Sequence, residues 1–326
     1  MVGKYEIKVY NNKVQYKLTI KRNITILQGN SATGKTELIR LISEHEANGA
    51  SSGITLNCDK KCTVLTSVDW ELRLLSLKEH IIFIDETANF IKSKRFAELV
   101  KGSDNYFVIV TRDDLSQLPY SVDEIYGLKN ASDSQKYKNY KRIYNEMYKL
   151  YCFDVRERFD PDVVITEDSN SGHELFSLLY IDRCIAANGK SNIYQCIREF
   201  KEKQTLAIVD GAAFGSEIGK IYRYIETSHI KCILYAPESF EYLLLEAGFV
   251  DVPKDMLEKT YQYADSVKYI SWEEYYTDCL LQKTRETVYQ YKKSKLSQAY
   301  RSESALLKVL SVMPDKIKPF HPSDSI

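Results

Sequence analysis

The chain of 326 residues has no excess charge of either sign, because Lys+Arg and Asp+Glu both total 45. Without a global basic field, any contact with DNA or RNA has to come from a local patch. No apolar run approaches the length of about 18 residues that a membrane-spanning helix needs. The first residues alternate polar Lys4, Glu6 and Lys8 with apolar neighbours, so no targeting segment is expected there and a cytoplasmic location is. Seven cysteines are scattered, and only Cys58 and Cys62 lie close together. No second pair or histidine cluster completes a zinc site, and an odd count fits reduced thiols.

What is there is ordinary in bulk. Hydrophobic residues make up 44%, which suits a globular protein, and the length predicts about two domains with their own cores. Tyrosine stands out at 25 residues, many of them in Lys/Tyr-rich runs over 136–151 and 289–300. Biased composition accounts for these runs more simply than a stacking platform for bases.

One stretch carries most of the chemistry. Gly29-Asn30-Ser31-Ala32-Thr33-Gly34-Lys35-Thr36 fits G-x-x-x-x-G-K-S/T, the phosphate-cradling loop. The apolar run around Ile24–Leu27 predicts a buried strand ahead of it, and Leu38, Ile39, Leu41 and Ile42 have helical spacing behind it. Gly29 and Gly34 permit backbone conformations in which successive N–H groups converge on phosphate oxygens, at a helix N-terminus that favours negative charge. In that setting Lys35 reaches the β- and γ-phosphates of a nucleotide such as ATP, and the Thr36 hydroxyl sits on Mg2+.

Further on, His80-Ile81-Ile82-Phe83-Ile84 predicts a buried parallel strand ending in Asp85-Glu86. Carboxylates at such an edge lie where open α/β sheets bind ligands. Asp85 is the candidate Mg2+ partner, and Glu86 the candidate base for an attacking water. A third buried strand, 106–110, runs into Thr111-Arg112-Asp113, and 122–128 predicts one more. Before them, residues 4–20 read as a hairpin turning at Asn11-Asn12.

The hairpin, the phosphate loop, the Asp-Glu strand and the tail Val122-Asp123-Glu124-Ile125-Tyr126-Gly127-Leu128 together resemble an ABC-type ATPase core, as in the SMC-like and OLD-like branches. Arg112 stands where that family carries a switch histidine. The stretch before His80 lacks the glycines of an LSGGQ signature, which puts nucleotide-driven dimerisation in question. Arg112 is a candidate contact for the γ-phosphate, or else the partner of Asp113 or Asp85 in an ion pair.

Residues 131–160 are expected to be a basic, Tyr-rich helical linker, with Lys136, Lys138, Lys141, Arg142 and Lys149 forming a solvated face or touching phosphates. Over 161–250 strand and helix patterns alternate, which predicts a parallel sheet. Strands end at Glu167-Asp168 and Asp210, and a helix opens near Glu241, so these acids are expected at one sheet edge. Acidic oxygens gathered there call for a cation, and Mg2+ suits them. The order, with Asn188-Gly189-Lys190-Ser191-Asn192-Ile193 between the acids, resembles the Toprim domain of OLD-family nucleases. That resemblance implies metal-binding roles for Glu167, Asp210 and Glu241. It is imperfect: Asp210-Gly211-Ala212 replaces an Asp-x-Asp, and Ser171 stands where a second acid is usual, with Glu174 the nearest substitute. His173 reads as a helix-cap residue and His321 as part of a frayed tail. Residues 251–326 show helical patterns over 257–264, 272–292 and 296–312.

The expected architecture is therefore α/β: an ABC-like ATPase domain over 1–130, the linker, a Toprim-like domain over 161–250 and a helical region over 251–326. The expected function is ATP hydrolysis coupled to Mg2+-dependent processing of DNA or RNA. Proteins of this likeness act in defence against phage or on mobile DNA. The alternative is an ATP-driven switch whose second half is non-catalytic and docks a partner protein or a second copy. A third reading is a small-molecule kinase.

Overall fold

The computed structural model describes residues 1–29, 34–131, 142–153, 155 and 157–319. The chain forms two compact units, Met1–Tyr151 with Lys259–Ser271, and Cys152–Glu258 with Trp272–Ile326. Both have α/β architecture.

In the first unit β1 (Tyr5–Tyr10) and β2 (Val14–Ile20) form the antiparallel hairpin. The Asn11 carboxamide oxygen accepts from the N–H groups of Lys13 and Val14, at 2.8 and 3.0 Å, and so shapes the turn. Next come β3 (Ile24–Leu27), α1 (Lys35–Asn48), β4 (Thr55–Asn57), β5 (Lys61–Val64), α2 (Trp70–Ser76), β6 (His80–Ile84), α3 (Lys94–Val100), β7 (Tyr106–Val110), β8 (Ile125–Asn130) and β9 (Ile143–Lys149). Among the described residues nine strands make one mixed sheet, in the order β4-β1-β2-β9-β8-β3-β7-β6-β5. The run β8-β3-β7-β6-β5 is parallel throughout. Its central strands β3 and β7 are buried along their whole length, which explains their unbroken apolar sequences.

A helix was the expectation over the described part of the Tyr-rich stretch, yet β9 is a strand. It pairs with β2 in parallel and β8 antiparallel, filling a gap that would leave two sheet edges open. Tyrosine suits a half-buried pleated surface, and cross-strand pairing outweighs the helical look of the lysines. Lys136, Lys138 and Lys141 lie outside the described residues, as does His321. The segment 259–271 completes this unit from far along the chain. Tyr261 O accepts from Gly3 N at 2.6 Å, and the Asn23 side chain donates to Ser266 O and Tyr269 O. Thr260 and Ser266 are wholly buried there.

The second unit runs β10 (Val163–Thr166), α4 (Ser171–Leu179), β11 (Cys184–Ala186), α5 (Ile193–Glu199), β12 (Thr205–Ile208), α6 (Gly215–Ser228), β13 (Cys232–Tyr235), α7 (Phe240–Glu246), α8 (Lys254–Glu258), α9 (Trp272–Thr284) and α10 (Glu303–Val312). Its four described strands are all parallel, ordered β11-β10-β12-β13. Helix α4 stops at Leu179; Asp182 turns the chain in the left-handed region, and β11 follows.

Candidate functional site

The parallel strands of the first unit put their C-terminal ends along one edge. Because β7 lies between β3 and β6, the described residues after these strands come in the order Gly29 after β3, Thr111-Arg112 after β7 and Asp85-Glu86 after β6. Gly34 caps α1 in the left-handed region, at φ 87° and ψ 6°. That conformation is open to glycine and resisted by most other residues. The Tyr16 hydroxyl donates to Gly34 O at 2.8 Å and ties the loop's exit to the β-hairpin. Lys35 is 6% exposed and donates to Gly29 O at 3.1 Å, so its ammonium folds back to the loop's entry. Burial and the charge of Arg112 push the Lys35 pKa down, against the opposing pull of Glu86.

Thr36 is exposed in the first turn of α1. Asp85 keeps one carboxylate oxygen, Oδ1, buried without a partner, while Oδ2 accepts from Thr87 Oγ1 at 3.4 Å. Glu86 and Arg112 face each other at 3.4 Å, both well exposed. Arg112 therefore pairs with Glu86 rather than with Asp113 or Asp85; Asp113 instead meets Lys92 at 2.7 Å. Asn30, Ser31, Ala32 and Thr33 lie outside the described residues. The partnerless Asp85 oxygen, the Lys35 ammonium and the exposed Thr36 at the start of α1 are groups of the kinds that a nucleotide carrying Mg2+ would call on.

In the second unit a cavity of about 40 Å3 is lined by Glu167, Asp210 and Glu241 together. Glu167 follows β10, Asp210 lies two residues past β12, and Glu241 opens α7. Asp210 N–H donates to Glu167 Oε2 at 3.3 Å, and Asp210 Oδ1 accepts from Phe240 N–H at 2.9 Å. Burial is the main cause raising the Glu167 pKa to about 7, with Glu273 adding to it and the Asp210 N–H and Lys190 opposing. Burial likewise raises that of Asp210, reinforced by Glu273, Glu167 and Glu241 and opposed by Lys293. Glu241 is 1% exposed; its Oε1 accepts from the Tyr291 hydroxyl at 2.7 Å, and its Oε2 is buried without a partner.

The resemblance-based ligand set is thus brought to one cavity, but not as a ligand set. Among the described residues no group of three or more His, Cys, Asp or Glu side chains is arranged to hold a metal ion. Protein donors hold the carboxylates instead, so Mg2+ does not fit these side chains as they are placed. Glu174 does not replace the missing second acid: it is paired with Arg301 and does not line the cavity. His173 is no helix cap. It lines the cavity, with Nδ1 2.8 Å from Thr166 Oγ1. Lys190 donates to Ala213 O at 3.2 Å. Tyr291 and Lys293 also line the cavity. They come from the second Lys/Tyr-rich run, where nothing local distinguishes them from their neighbours.

No protein-family model matches this chain, and no curated protein matches it at a significant level.

Proposed function

We propose that the first unit binds ATP with Mg2+ and hydrolyses its terminal phosphate bond, in the manner of the ABC-type core its sequence resembles. The observation that carries this reading is the tether between Lys35 and Gly29 O across a loop whose exit, Gly34, is held in the left-handed region. A lysine folded over its own loop is poised to exchange one carbonyl for the β- and γ-phosphate oxygens. Backbone N–H groups at the start of α1 take the remaining phosphate charge. Thr36 and Asp85 would hold the Mg2+, which would supply positive charge against the phosphate oxygens. Glu86 then orients the attacking water and accepts its proton. The Arg112–Glu86 pair is exposed and worth at most about 1 kcal/mol. Breaking that pair costs little, so Arg112 is the candidate contact for the γ-phosphate, and Glu86 is then left to the water. The pair Asp85-Glu86 with the later Thr111-Arg112 suits attack by water better than transfer to a small molecule.

Processing of DNA or RNA by the second unit would need a divalent cation among Glu167, Asp210 and Glu241. Their placement supports no step through one, and the alternative of a switch with a non-catalytic second unit is the better supported of the two.

The test is nucleotide binding and turnover by the full chain. Lys35→Ala is expected to lose ATP affinity by tenfold or more, on the order of 1.4 kcal/mol. Glu86→Gln is expected to keep ATP binding and lose turnover by about 100-fold or more, because it removes the base and leaves the cradle. Equal turnover by wild type and Glu86→Gln would take Glu86 out of the mechanism.

A further inference from the structure

Strands β4 and β5 are the two ends of the nine-strand sheet, yet they are consecutive in the chain. Cys58, Asp59 and Lys60 join them, with a bend at Asp59 and Lys60, and Cys62 is the second residue of β5. Both cysteines are free, half-buried thiols that pack against the same apolar core of the first unit. Both sulfurs also meet one residue between them. Lys60 N–H donates to Cys58 Sγ at 3.5 Å, and the Cys62 thiol donates to Lys60 O at 3.8 Å. The Cys62 thiol and the Lys60 N–H hold the Cys58 thiol below its ordinary range, against burial. Cys58 in turn pushes the Cys62 thiol up, and burial adds to it. Two sulfurs that share a proton titrate as a pair, and the one that loses it first is the nucleophile.

We propose that Cys58 and Cys62 are a redox pair, closed to a disulfide by exchange with a small-molecule disulfide of the glutathione class. A disulfide needs its two Cα atoms within about 7 Å, which a bend favours and an extended segment of this length forbids. The Cys58 thiolate attacks one sulfur of the oxidant, forming a mixed disulfide and expelling one thiolate. With Cys58 capped, Cys62 no longer faces a negative sulfur, and its proton leaves to solvent. The Cys62 thiolate then attacks the Cys58 sulfur, forming the Cys58–Cys62 bond and expelling the second thiolate. The two cysteine sulfurs lose two electrons, which the two sulfurs of the oxidant gain. The two thiol protons pass through water to the released thiolates. The new bond spans the connection between β4 and β5 and so fixes the two end strands of the sheet to each other.

The test incubates the full chain with excess glutathione disulfide, blocks remaining thiols with iodoacetamide and maps the tryptic fragments by mass spectrometry. Trypsin cuts at Lys60 and Lys61, between the two cysteines, so the bond shows as fragments 41–60 and 62–73 joined. Wild type is expected to give this joined pair from the monomer band of a non-reducing gel, and to lose it in dithiothreitol. Cys62→Ser is expected to stop at a glutathione adduct on Cys58. Cys58→Ser is expected to react at Cys62 about tenfold more slowly or less. Wild type that keeps both cysteines open to iodoacetamide, while the exposed Cys152 takes up glutathione, overturns the proposal. A lasting adduct on Cys58 of wild type without the joined pair overturns it as well, and so does joining found only between two copies. Equal rates at Cys58 and Cys62 in the two serine variants overturn the order of attack. The wild-type map decides the disulfide even where a serine variant fails to fold.

Discussion

Glu167 shows how one buried carboxyl couples folding to pH. Its pKa near 7 lies well above the ordinary 4.5. Between those values the folded protein keeps a proton that the unfolded chain has released. The stability this group contributes is fully present at low pH and is lost as pH rises through about 7. A shift of this size is on the order of 3 kcal/mol. Glu167→Gln keeps an oxygen for the Asp210 N–H and removes the titration. Relative to wild type it is expected to gain stability from pH 5 to pH 8, by up to about 3 kcal/mol, in urea unfolding without metal. A constant difference between the two proteins across that range would show that Glu167 does not titrate there.

The turn that carries Asp210 is fixed at the level of whole elements. Gly211 N donates to Pro237 O at 2.7 Å and Ala212 N to Glu238 O at 2.9 Å, zipping the turn after β12 to the turn after β13. A β-carbon on Gly211 would lie 2.8 Å from both Ala236 O and Pro237 O, and neither is the end of a flexible side chain. Gly211→Ala is therefore expected to cost about 1–3 kcal/mol in chemical denaturation, and a loss below 0.5 kcal/mol or so would mean that the backbone yields freely. Ala212 is 2% exposed and is not among the residues that line the cavity.

Elements of this kind differ in how openly the sequence declares them. Strands β3, β6, β7, β10 and β12 read as apolar runs because sheets covered on both faces need them. The start of α1 is legible because Gly34 and the spacing of Leu38, Ile39, Leu41 and Ile42 are local signals. Strand β9 is not legible, since Tyr144 and Asn145 are buried by partners in β2 and β8. Nor is the pairing of Tyr291 with Glu241, which are 50 residues apart and meet only through the fold. Lys293 and Glu273 share that limit.

For the molecule as a whole, a domain boundary drawn once along the sequence misses the return of Lys259–Ser271 to the first unit. Cleaving the chain between 151 and 157 therefore leaves the first unit with a part of its fold on the other piece. The two pieces are expected to co-elute in gel filtration under native conditions and to part only in denaturant. Separation in native buffer would show that the segment is dispensable.

The same return sets an order on the ribosome. The first unit's last strand is made long before the segment that closes it, with Cys152–Glu258 translated in between. At about 5–20 residues per second that interval is roughly 5–20 s. Throughout it the nascent chain holds Gly3 N–H and the Asn23 amide without Tyr261, Ser266 and Tyr269. Chains arrested before residue 259 and chains arrested beyond 271 are thus expected to differ in the protease resistance of residues that both have already finished making.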